Sequence, residues 1–264
     1  VARHDIQQGL LKELAVSMKH RIALLTLTLA ILACNALAPK PEAEWDTAPD
    51  ALIIEASASG GLTPVNYMEN YIPEAQLWGD GRLVWVEQTS SGRRVLEAHL
   101  STQEMTDLIN TFADEGFFGM KDVYEPSVAV MDGINATLTM NLSGMSKSVS
   151  WSSGADTLKG FSELFALVSS GAGATGADFT PTTGYLKVYP MGGATGHEPY
   201  HWPDDSLGYG LDQVGNGKWI DGEALAFAWR IVNESYYTAV ESGGKSYQLV
   251  VQAPGVSYME PPTP

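Results

Sequence analysis

Ala51–Ala58 opens on four apolar residues, alternates from Ile54 to Ala58, and is broken by Gly60-Gly61. That pattern predicts a strand with one buried face. Ala75–Trp78 and Arg82–Glu87 flank Gly79-Asp80-Gly81. An Asp-Gly pair between two alternating runs predicts a hairpin, because both central residues tolerate positive φ. Arg94–Leu100 alternates again and predicts a third strand. The period then changes. Ser101 and Glu104 stand as N-cap and N3 of a capping box, and Met105, Leu108, Ile109 and Phe112 follow at helical spacing. Gly116 ends that helix, and Phe117-Phe118 are expected over the core.

Ile134–Leu142 and Lys147–Trp151 predict a second antiparallel pair turning at Ser143-Gly144, and Thr157–Val168 predicts a second amphipathic helix. The small-residue run Gly171–Gly176 is the expected domain boundary. Beyond it, Tyr185–Tyr189 predicts a strand and Met191–Gly217 an irregular Gly/Pro-rich stretch. Asp221–Val232 predicts a helix, and Tyr236–Val240 with Lys245–Gln252 a last hairpin over Ser242-Gly243-Gly244. Hairpin-paired strands with inserted helices imply an α+β fold, here two small domains at 51–170 and 177–258. No βαβ alternation with a phosphate loop is present, which argues against a dinucleotide-binding fold.

The N-terminal region follows different rules. Met18-Lys19-His20-Arg21 is basic, and the thirteen residues Ile22–Cys34 carry no charge. A basic stretch before an apolar run of ~7–15 residues is the layout of an export signal, and a membrane-spanning helix needs ~20. The run ends in Ile31-Leu32-Ala33-Cys34. This resembles the lipobox of bacterial lipoprotein precursors, although Leu32 is bulkier than the usual small residue. The resemblance covers about Met18–Asn35. It implies that Cys34 receives a diacylglyceryl group, that 18–33 is removed as a signal peptide, and that the protein is held on the extracytoplasmic side of a membrane in the cell envelope. A rival cleavage pattern, Ala36-Leu37-Ala38, is followed by Pro39, which disfavours it. Residues 1–17 are an unusual preface to such a signal and are read as an over-extended start. Residues 34–50, with Pro39, Pro41 and Pro49, form an extended tether. The arrangement of 51–170 resembles uncharacterised secreted bacterial domains, which bring no activity with them.

Charge narrows the partners. The chain has 31 acids and 15 bases; two acids (Asp5, Glu13) and four bases (Arg3, Lys12, Lys19, Arg21) precede Cys34, which leaves a net of −18 on the rest. Such a surface repels phosphates, so no nucleic-acid partner is expected. A single cysteine excludes an internal disulfide and a multi-cysteine zinc site.

Chemistry-bearing clusters are few. His197-Glu198-Pro199-Tyr200-His201 has the letters H-E-x-x-H, a zinc motif that works only on a helix, and Pro199 opposes a helix. A looser metal site from His197, His201, Asp204 and Asp205 is the alternative. Asp212, Trp202, Tyr209 and Trp219 are candidates for a ligand cleft of acids beside aromatics. No G-x-S-x-G elbow appears, and His99 on a predicted strand reads as structural. No catalytic residue and no cofactor is assigned. The expectation is a lipid-anchored module that binds a protein or an envelope polymer. The alternatives are a hydrolase or metal-binding protein using the His197–Asp212 loop, and an accessory subunit of a membrane complex.

Overall fold

The computed structural model describes residues 44–61, 65–90, 92–128, 130–192, 198–234 and 239–263. Cys34, the export segment and His197 lie outside them. The fold is α+β. Eight described strands form a first sheet: β1 (Leu52–Gly60), β2 (Ala75–Trp78), β3 (Arg82–Gln88), β4 (Arg93–His99), β5 (Val123–Tyr124), β6 (Ile134–Leu142), β7 (Met145–Ser152) and β8 (Ala177–Asp178). Their order is β5-β7-β6-β1-β2-β3-β4-β8. Five more form a second sheet: β9 (Thr183–Pro190), β10 (Tyr200–His201), β11 (Lys218–Asp221), β12 (Val240–Ser242) and β13 (Lys245–Gln252), in the order β10-β12-β13-β9-β11. The helices are α1 (Val65–Glu69), α2 (Thr102–Asp114), α3 (Lys159–Ser169), α4 (Asp204–Leu207) and α5 (Gly222–Glu234).

Local chemistry explains several boundaries. The Ser101 side chain accepts the Glu104 N–H, and the Glu104 carboxylate accepts the Ser101 N–H at 2.7 Å, so α2 starts with both halves of a capping box. Gly116, in the left-handed region, follows the Glu115 cap and leads into a single 3-10 turn at Phe117–Gly119. Phe117 packs edge-on against Phe112, with centroids 5.1 Å apart. The Gly79-Asp80-Gly81 segment turns β2 into β3, and Asp80 accepts the Arg82 N–H at 3.0 Å.

The first sheet is two-sided. Ile54, Ala56, Leu77, Leu83, Leu138 and Val149 face α2 and α3 and make one buried core. The opposite face is divided along its width. Over β2, β3 and β4 it presents Trp78, Val84, Val86 and Val95 to α5 and to the second sheet, where Leu225, Trp229, Leu249 and Val251 complete a second core. Over β1, β6 and β7 the same face carries Ser57, Thr137, Thr139, Ser148 and Ser150. Thr137 and Ser150 pair through their hydroxyls at 3.0 Å, as do Thr139 and Ser148. Burial therefore stops where the second sheet stops.

Residues Ala43–Pro264 cluster as one compact unit. The expected boundary at 171–176 joins α3 to β8, and β8 pairs with β4, so the run lies within the first sheet's layer and not between the sheets. A Cβ on Gly176 would lie 2.3 Å from the Trp85 ring, and one on Gly171 2.7 Å from it. These residues are small because their backbone lies against an indole.

Candidate functional site

The stretch that carries the acids and aromatics is more ordered than its composition suggests. Tyr200 and His201 form β10 and pair in parallel with Val240 and Glu241 of β12. His201 is thus on a strand, and its Nδ1 lies 3.9 Å from the Glu241 carboxylate. Trp202 is buried. Its indole N–H donates to the Tyr209 carbonyl at 3.1 Å, and its ring meets Phe227 edge-on at 5.5 Å. Asp204 accepts the Ser242 hydroxyl at 2.7 Å, and the same hydroxyl oxygen accepts the Leu211 N–H at 2.9 Å. That chain of bonds ties α4 and the 3-10 turn Leu211–Gln213 to the end of β12.

Asp205 and Asp212 are exposed. The Lys218 ammonium sits 3.6 Å above the Tyr209 ring. The Tyr209 hydroxyl is buried without a hydrogen bond, and burial, then the Asp221 charge, pushes it above its ordinary pKa. Trp219 packs on Tyr185 at 5.6 Å. The structure therefore brings Trp202, Tyr209 and Asp204 into one cluster and leaves Asp205 outside it. Among the described residues no three His, Cys, Asp or Glu side chains group as metal ligands. What the cluster visibly does is hold a loop by packing and by satisfying buried polar groups.

A second polar cluster joins the first helix to the second sheet. Glu69 is only 6% exposed, and its carboxylate accepts the Lys187 ammonium and the Tyr189 hydroxyl, the latter at 2.5 Å. Their hydrogen bonds to Glu69, and then its charge, hold the Lys187 and Tyr189 pKa values above their ordinary ranges. Asn70 brackets β13, donating to the Leu249 carbonyl at 3.0 Å and accepting the Val251 N–H at 2.9 Å. Buried Arg93 donates to the Asn233 side chain and to the Asn70 carbonyl, both at 2.6 Å. Asn233 begins an Asn-Glu-Ser triplet, but its amide is buried and also donates to the Trp229 carbonyl at 2.8 Å. These groups bind two layers together.

The concave site lies elsewhere, at the C-terminal end of β1. A cleft of about 420 Å³ is lined by Ala58–Gly61, Tyr67, Tyr71, Glu74, Asp132 and Ile134. Gly60 takes φ +114°, and a Cβ there would lie 2.2 Å from the Gly133 carbonyl oxygen, so only glycine lets β1 meet the Gly133 backbone at the rim. The Tyr71 hydroxyl accepts the Ala58 N–H at 2.6 Å, and burial raises its pKa. Burial also raises the pKa of Glu74, opposed by the Arg93 charge behind it. A smaller hollow of about 300 Å³, lined by Glu125, Pro126, Val130 and Ser152, shares the wall formed by Gly133–Asn135. Between and beside the two hollows the loop before β6 exposes Val128 at 77% and Met131 at 90%. The sequence signal for this end was Gly60-Gly61 breaking the apolar-rich run Ala51–Ala58, which by itself predicts only a strand terminus.

Comparison of the chain with protein-family models, with curated proteins and with solved structures gives no match.

Proposed function

We propose that the chain is an extracytoplasmic binding module anchored to a membrane through lipid on Cys34. The anchor rests on the basic stretch, the short apolar run and the Ile31-Leu32-Ala33-Cys34 ending. Two or three acyl chains hold a protein firmly where one does not. The binding role rests on one structural observation: the chain attaches to the fold at the opposite end from the cleft. The Glu44 carbonyl accepts the Ser143 N–H at 2.8 Å, at the β6–β7 turn, and the Trp45 indole donates to the Gly79 carbonyl at 3.1 Å. The cleft is at the other end of β6, beside Ile134. Nine strand residues separate the two ends, roughly 30 Å. A module held this way presents its concave end to a partner in the envelope rather than to its own attachment point. An acidic surface fits a protein or polymer partner and not a nucleic acid.

The test is labelled-palmitate incorporation in cells, with and without globomycin. Incorporation that is lost in Cys34→Ala, and a precursor that accumulates under globomycin, are the expected results. A Cys34→Ala protein that is exported, unlabelled and still firmly on membranes would overturn the anchor.

A further inference from the structure

β1 outruns its neighbour. β2 pairs with it only from Leu52 to Ala56, whereas β6 pairs with it as far as Gly60. Past Ala56, the side of β1 that faces away from β6 has no strand on it among the described residues. The Tyr71 hydroxyl takes the Ala58 N–H there in place of a strand carbonyl. In an antiparallel ladder the N–H and C=O of every second residue point to the same side. The Ala58 C=O and the Gly60 N–H therefore face the same side as the Ala58 N–H, along the 420 Å³ cleft.

Charge and apolar surface converge on the same place. Glu74 and Asp132 line the cleft, and no lysine or arginine does among the described residues. Glu74 is partly buried, and the Arg93 charge offsets only part of what burial costs its carboxylate, so a further cation beside it would relieve the rest. Ile134 lines the cleft and is also 54% exposed, continuing into the apolar lip of Met131 and Val128. An open strand edge is matched best by another strand, whose main chain supplies the missing partners. Side chains of an added strand alternate between faces, so one set reaches the carboxylates while the other reaches the apolar lip.

We infer that the open groups on the β1 edge, the Ala58 carbonyl and the Gly60 N–H beyond the Tyr71 hydroxyl, take an extended peptide segment of a partner protein, one in which lysine or arginine alternates with apolar residues. This deepens the binding half of the function proposed above and does not depend on the anchor.

The probe is a fluorescein-labelled decapeptide of alternating valine and lysine, titrated into the full chain at physiological ionic strength. Saturable binding below about 1 mM is expected. Glu74→Gln and Asp132→Asn should each weaken it about fivefold or more, while Glu163→Gln, on the outer surface of α3, leaves it unchanged. Replacing a central Val-Lys-Val-Lys stretch of the probe by four prolines removes the N–H groups that could pair in either strand direction and should abolish binding. Amide exchange at Gly60 should slow when the probe is bound. Absence of saturable binding, an equal loss in Glu163→Gln, or undiminished binding of the proline probe would overturn the proposal. Palmitate labelling at Cys34 is read independently, so failure here leaves the anchor standing, and failure of the anchor leaves this standing.

Discussion

The Ser242 hydroxyl donates to the Asp204 carboxylate at 2.7 Å while its oxygen accepts the Leu211 N–H at 2.9 Å. One buried hydroxyl thus bridges three segments that are distant in sequence. Ser242→Ala leaves the Leu211 N–H and one Asp204 oxygen without their partner. We expect a loss of about 1–3 kcal/mol, read from the midpoint of a urea transition. An unchanged midpoint would mean that water replaces the hydroxyl.

Tyr209 provides the opposite case. Its ring supports Lys218 and its backbone carbonyl holds the Trp202 indole, but its hydroxyl is buried without a partner. Tyr209→Phe keeps the ring and the carbonyl and removes the group that lost its water. Stability should hold or rise by up to about 1 kcal/mol. A clear fall in the thermal midpoint would show that the hydroxyl has a partner after all.

The Glu69 cluster predicts a sensitivity to alkali. The pKa values of Lys187 and Tyr189 are raised from 10.5 and 10.0. Their protonated forms are favoured in the fold, so the stability they contribute is complete below about pH 10 and is lost as pH rises through the raised values. Glu69→Gln removes the carboxylate whose hydrogen bonds and charge raise both. The variant should be less stable at pH 8 by about 1–3 kcal/mol and should lose less stability than the parent between pH 9.5 and 11.5. Parallel pH–stability curves for the two proteins would contradict this.

Glu55 predicts the reverse sign. It faces Gln76 across β1 and β2, its pKa is raised chiefly by burial, and the Gln76 carbonyl oxygen is buried without a partner. Its ionised form is disfavoured in the fold at neutral pH, and that cost disappears as pH falls through the raised value toward 4.5. Glu55→Gln removes the charge and offers an amide N–H to Gln76. A gain of about 0.5–1.5 kcal/mol at pH 7 is expected, shrinking as pH falls. Denaturation at pH 7 and pH 5 checks it; a variant that is less stable at pH 7 would refute the cause assigned to the shift.

Elements that depend on neighbours in sequence were legible in the sequence. Ser101 and Glu104 mark the start of a helix because both halves of the box lie within one turn, and Gly79-Asp80-Gly81 marks a hairpin because the turn alone demands those residues. Features that depend on distant partners were not. β10 is two residues long and exists because Tyr200 and His201 meet Val240 and Glu241. Gly171 and Gly176 carry the composition of a loose linker, yet they are small because Trp85 lies against them. Of the candidate cluster, Trp202 and Tyr209 do come together, but Asp204 is held by Ser242, which no spacing rule connects to it. The cleft was hidden for the same reason. It arises from the unequal lengths of β1 and β2, and length mismatch is a property of a pairing, not of either strand.

The first sheet ends on both sides in strands of two residues, Val123–Tyr124 and Ala177–Asp178. Edges that short give a second copy almost nothing to pair with, which guards the protein against stacking into fibres. The notch beside β1 lies between strands instead of at the rim. Like charge on Glu74 and Asp132 turns identical acidic molecules away from it. Pairing with a second copy is thus opposed at the rim by length and at the notch by charge.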